Sequence, residues 1–222
     1  PEHQEARFRL AEATAAQGAF AGTAEALEEL VRRLARWRSG EPAERAYLGA
    51  LHRNLAEIAL EHLDDPDRAH QSWRTAAGLL GEAAAVQVLE AWADSASAQD
   101  QWSEAAEVYE RLRKLRLQTS DAVHLATAYE ELGRVDDALR VLRDAPSARS
   151  GDPLAQTVRS RMRELLGAAG RYGELARTLE EDARRAEDPE RRRELLLEAA
   201  DHYLSRAGEG GRAERCLLAV LE

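Results

Sequence analysis

The stretch from Ser120 to Ala145 reads SDAVHLATAYEELGRVDDALRVLRDA, and it specifies two helices with a turn between them. Leu125 and Tyr129 stand one helical turn apart and form the inner face of the first helix. Ala126 and Ala138 are small, so the two axes can approach closely. Gly133 ends the first helix, where a left-handed backbone costs it little. Leu142 and Ala145 bring the second helix back to the shared seam. The chain around this stretch is rich in Ala, Leu, Glu and Arg, all strong helix formers. No segment shows sustained period-two alternation. Breaks fall at Gly40-Glu41-Pro42, Asp65-Pro66, Gly151-Asp152-Pro153, Asp188-Pro189 and Gly210-Gly211. The expectation is an all-α chain of helical hairpins.

The seam can be followed outward in both directions. Its small position recurs as Thr23, Ala69, Ala105, Ala138, Leu175 and Ala213, spaced by 46, 36, 33, 37 and 38 residues. The large residue four further on is Leu27, Trp73, Tyr109, Leu142, Leu179 and Leu217. The position before each second helix is Phe20, Pro66, Trp102, Val135, Tyr172 and Gly210. This pattern resembles the tetratricopeptide repeat, whose unit of about 34 residues places large and small residues at set positions. The resemblance implies a right-handed α-solenoid of about six hairpins, roughly 2–40, 42–81, 83–118, 120–146, 152–187 and 189–222. Each hairpin must stack on its neighbours to bury its apolar stripe. Repeats two and six need one extra residue in the first helix or its turn. The gap of 46 residues implies a longer second helix in the first hairpin, about Thr23 to Ser39. In the fifth, Leu175 and Arg163 replace small residues, so its helices are expected to splay.

Composition excludes several functions. The chain has 222 residues and a formal charge of −10, which opposes general nucleic-acid binding. Cys216 is the only cysteine, so there is no disulfide framework. No apolar run is long enough to cross a bilayer, and membrane insertion is not expected. No phosphate-binding, metalloprotease or hydrolase motif is present, and no catalytic residue, metal or cofactor is assigned. His62 and His70 flank Asp64, Asp65 and Asp67. They read as a polar turn rather than a metal cluster, with Asp67 beside Pro66 as a helix cap. Cys216 reads as a packed residue. The basic runs Arg32 to Arg38, Arg111 to Arg116 and Arg191 to Arg193 read as solvated helix surface. Trp37 and Trp92 are expected to be partly packed, and Trp73 and Trp102 to pack at motif positions.

In the family that the chain resembles, motif position nine of each first helix lines the concave face. Here it is Glu12, Glu57, Asp94, Thr127, Glu164 and Asp201. One turn earlier, position five supplies apolar anchors at Phe8, Val123 and Leu197, and Arg53 and Glu90 in the second and third repeats. The resemblance thus implies an acidic groove suited to a basic protein or peptide. The sign is opposite to that of family members that hold a carboxylate tail. The expected function is a protein-binding scaffold or adaptor, not an enzyme. The alternatives are the regulatory arm of a larger bacterial enzyme and a self-assembling structural array. Pro1 at the start and the apolar Leu217 to Leu221 at the end read as cuts from a longer, cytoplasmic bacterial protein. The open apolar end at Cys216 to Leu221 is expected to self-associate end to end or to fray.

Overall fold

The computed structural model describes residues 18–36, 41–146 and 153–221, and every regular element among them is helical. Phe8, Glu12 and Trp37 lie outside the described residues. The described chain divides into two compact units, one ending at Arg116 and the other beginning at Leu117. The first holds α1 (Phe20–Arg36), α2 (Pro42–His62), α3 (Pro66–Leu79), α4 (Glu82–Ala98) and α5 (Trp102–Leu115). The second holds α6 (Thr119–Glu131), α7 (Val135–Arg143), α8 (Pro153–Ala168), α9 (Tyr172–Arg185), α10 (Pro189–His202) and α11 (Gly210–Leu221). A five-residue π-helical turn, Tyr203–Ala207, extends α10. Among the described residues no helix is long and apolar enough to cross a membrane.

The turns share one backbone device. A left-handed residue stands two positions before each second helix: Gly18, Asp64, Asp100, Gly133, Gly170 and Gly208, with φ between 51 and 73°. Their spacing repeats that of the small seam position, residue for residue. Four are glycines, which adopt this region freely; aspartate is one of the few other residues that tolerates it. The next N–H then reaches back to a carbonyl of the finished helix. Gln101 N–H bonds the Ala96 carbonyl, Arg134 that of Tyr129 and Arg171 that of Leu166, each spanning five residues. Asp65 reaches Ala59, and Glu209 reaches Tyr203, each spanning six. These are repeats two and six, the two that carry an extra residue. A wider turn absorbs it, so the seam beyond keeps its register.

Helix starts follow from the residues beside the prolines. Asp65 accepts from the Arg68 N–H at 3.1 Å, and Asp188 from those of Glu190 and Arg191. Each precedes a proline at the first helical position. The cap of α3 is therefore Asp65, not Asp67. Asp67 lies inside the first turn, where its charge complements the helix dipole.

In the first unit, Leu27 and Leu30 of α1 pack with Leu51 and Leu55 of α2. Fully burying such a side chain contributes about 1.5–3 kcal/mol. Phe20 stacks on His62 with ring centroids 3.6 Å apart. Gly49 permits a close approach, because a Cβ there would stand 2.7 Å from the Leu80 side chain. Trp92 is fully buried rather than partly packed, and Trp73 is 2% exposed, whereas Trp102 is only half-buried. At 17 residues, α1 is longer than the 9 to 14 residues of the other second helices. In the second unit, the fourth hairpin closes on Ala126, Ala138, Leu139 and Leu142, all 2% exposed or less. In the fifth, α9 packs more closely on α10 than on its own partner α8.

Candidate functional site

The position-nine side chains sit on the first helices of their hairpins. Glu57 on α2, Asp94 on α4, Glu164 on α8 and Asp201 on α10 are exposed, and Thr127 on α6 is half-buried. Each already has a local partner. The Arg53 guanidinium lies 3.6 Å from Glu57. Partial burial raises the Glu57 carboxyl above its ordinary pKa; Arg53 opposes this and Glu61 adds to it. Asp94 accepts from the Tyr109 hydroxyl at 3.3 Å. Glu90, one turn earlier, binds Arg116 at 2.6 Å. In the second unit, Glu164 pairs with Arg161 at 3.0 Å, and the same guanidinium reaches Glu130 on α6. Asp201 accepts from the Ser205 hydroxyl at 2.7 Å.

Several apolar positions differ in what they offer. Leu197 is 49% exposed and can supply an anchor. Val123 is half-buried, and its carbonyl accepts the Thr127 hydroxyl at 3.2 Å. Thr127 thus satisfies its polar group within its own helix. Leu217, Leu218 and Leu221 of α11 are exposed.

Residues of the first and third basic runs are engaged on their own helices. Arg32 and Arg33 pair with Glu29, Arg191 with Glu194, and Arg193 with Glu190. His62 and His70 do not converge on the Asp64 turn. His62 stacks on Phe20, while His70, 3% exposed, turns inward. Its Nε2 lies 3.0 Å from the Ser95 hydroxyl and its Nδ1 3.1 Å from Glu104. Arg74 reaches the other Glu104 oxygen at 2.8 Å and lies over the Trp92 ring. This network joins α3, α4 and α5 through residues far apart in sequence, and no local motif announces it.

A second buried group is Asp182 of α9. Its carboxylate lies 3.1 Å from Arg159 and 3.3 Å from Arg163, both of α8. Burial raises the Asp182 pKa, while Arg163, Arg159 and Arg185 oppose the rise. The Cys216 thiol is 3% exposed and donates to Glu180 at 3.1 Å. Burial, followed by that bond to Glu180, pushes its pKa up to about 12. A thiol so held is an inert packing element.

Above Cys216 a cleft of about 960 Å³ opens between α9, α10 and α11. Arg177 and Arg184 line it from α9, Arg192 from α10, and Arg212 and Arg215 from α11. None of these contributes to the acidic pattern, and three separated helices supply them. Only the folded hairpins bring them together.

The tetratricopeptide repeat model matches residues 96–162. No curated protein matches the chain by sequence. A tetratricopeptide repeat protein from Parabacteroides merdae is similar over 100% of this chain and 80% of its own, at 18% identity and TM-score 0.50. The structure of Naa15/Naa10 bound to HypK-THB is similar over 98% of this chain and 36% of the matched chain, at 16% identity and TM-score 0.55. These two likenesses concern the helical-repeat fold.

Proposed function

The chain carries tetratricopeptide repeats, and from that premise we propose that it is a non-catalytic scaffold whose first-helix faces dock a partner protein with a basic segment. Tetratricopeptide folds serve generally as protein-interaction scaffolds. The observation that carries the finer reading is the exposure of Glu57, Asp94, Glu164 and Asp201 at one repeat position. Arg53 and Arg161 temper the charge of Glu57 and Glu164 without covering their carboxylates: Glu57 remains 52% exposed and Glu164 64%. A basic segment would exchange exposed intramolecular pairs, each contributing about 0–1 kcal/mol, for intermolecular ones. Leu197, one turn from Asp201, would add a desolvated anchor.

The test is a host-lysate pull-down at low and moderate salt, comparing the chain with the triple variant Glu57→Lys, Asp94→Lys and Glu164→Lys. Capture of a basic protein at low salt, its release as salt rises and its loss with the variant are expected. Equal capture by both would overturn the acidic-face reading.

A further inference from the structure

We propose that the cleft between α9, α10 and α11 is a second docking site, of opposite sign, for an acidic peptide segment of a partner protein. It is independent of the acidic first-helix faces. Five arginines line the cleft against two glutamates, Glu180 and Glu181, in a chain whose formal charge is −10. The local sign is thus reversed against the whole.

Glu180 does not offset that charge freely. One of its oxygens accepts the Cys216 thiol at 3.1 Å, and the other faces Arg184 at 3.6 Å. Arg212 is held by Glu209 at 3.1 Å, and Arg192 donates to the Ala186 carbonyl at 3.0 Å. Arg177 and Arg215, both exposed, have no carboxylate partner among the described residues. They stand on different helices, α9 and α11, and both line the cleft.

The shape and lining select the class of ligand. The volume far exceeds that of a single inorganic anion, whose share would be a few tens of Å³ by comparison with about 30 Å³ for one water. Leu196 and Ala219 add apolar surface to the lining. Alternating acidic and apolar side chains complement such a lining, with forked guanidinium groups receiving the carboxylates. A long polyanion is a poor fit, because the rest of the acidic chain would repel it. An extended acidic peptide needs only the local positive field.

The probe is a fluorescein-labelled dodecapeptide of alternating Glu and Leu, titrated with the full chain and followed by anisotropy. Binding that weakens as salt rises is expected. The double variant Arg177→Glu/Arg215→Glu should weaken it about tenfold or more. The control Arg113→Glu/Lys114→Glu makes the same charge change in the other unit and should alter affinity less than about threefold. Circular dichroism melts check that both variants fold. No binding by the parent chain, retained affinity in the cleft variant, or equal losses in both variants would overturn the proposal. So would tighter cleft-dependent binding of phosphatidylserine vesicles or an oligonucleotide than of the peptide.

Discussion

The fourth and fifth hairpins are built on one template and solve the same packing problem differently. In the fourth, the seam is made of small residues: Ala126 and Ala138 are fully buried, and Ala145 is 9% exposed. In the fifth, the corresponding residues are Arg163, Leu175 and Asp182. Two apolar positions have become an ion pair, and a small one has become large. Leu175 is 6% exposed, and its Cδ2 would stand 3.9 Å from a Cβ at Gly167, so the first helix provides a glycine beneath it. The looser packing of α9 on α8 follows from the space that Leu175 and the Arg163 stem require. One backbone plan thus tolerates a dry seam or a polar one. The polar seam carries the cost of desolvating charge.

The strongest way to break this comparison is to move one element of the polar seam into the dry one. Ala126→Arg would place a guanidinium at a fully buried site with Ala138 and Ala145 opposite it. Neither can accept its charge, and their small side chains hold the helices close. A loss of about 4 kcal/mol or more is expected, seen as a fall in the denaturant midpoint or as failure to fold. A variant of unchanged midpoint would show that the fourth seam is as yielding as the fifth.

The converse experiment is subtler. Arg163→Ala restores the small residue but strips Asp182 of one of its two arginines. Because Arg159 remains at 3.1 Å, the expected loss is about 2 kcal/mol rather than the full cost of an orphaned charge. Arg163→Ala/Asp182→Ala removes both halves and should recover most of that loss. Denaturant melts of the two singles and the double form the cycle. Additive losses would mean that the two groups do not act as a pair.

The sequence makes the dry seam legible and the polar one only half so. Gly133 is legible as a left-handed turn residue, and the five others stand at the same offset from the seam, because turn and seam are fixed by the same repeat. The spacing also marks where repeats two and six are too long. The six-residue closing bonds show that the wider turn absorbs the excess. Arg163 stands out as a misfit, but its partner Asp182 lies 19 positions away on a helix already rich in charge. Nothing local selects it. The same holds for His70 with Glu104 and for the arginine cleft, where the meaning of each charge depends on which helices pack beside it. Glu57, Asp94, Glu164 and Asp201 recur at one repeat position, so their common place on the first helices is legible from spacing. Their pairing with Arg53 and Arg161 also follows helical spacing, whereas those of Glu90 and Asp94 with Arg116 and Tyr109 depend on the next helix.

The turns provide an internal control of smaller size. Gly133 and Gly170 have φ of 70° and 69°, and neither has a neighbour that would clash with an added Cβ. Gly133→Ala and Gly170→Ala should therefore each cost about 1 kcal/mol, from backbone strain alone. Equal melting-temperature losses would place the difference between the hairpins in their seams. A much larger loss for Gly170→Ala would place it in the turn.

The smallest effect is a slope with pH, and its sign separates the two seams. Burial raises the folded-state pKa of Asp182 above its ordinary 3.8, with Arg163, Arg159 and Arg185 opposing the shift and Glu181 adding to it. Between 3.8 and the raised value, the folded chain holds a proton that the unfolded chain has released. The contribution of this group is therefore fully present below the unfolded pKa and is lost as pH rises through the folded one. Asp182→Asn does not titrate. The melting temperature of the parent chain minus that of Asp182→Asn should fall as pH rises through this window and level off above it. The matching position in the fourth hairpin is Ala145, which cannot titrate, so its substitution should give a pH-independent difference. A difference for Asp182→Asn that instead rose with pH would mean that the arginines outweigh burial. The polar seam would then be a net source of stability at neutral pH, and its replacement by Arg163→Ala/Asp182→Ala should fail to recover the fold's midpoint.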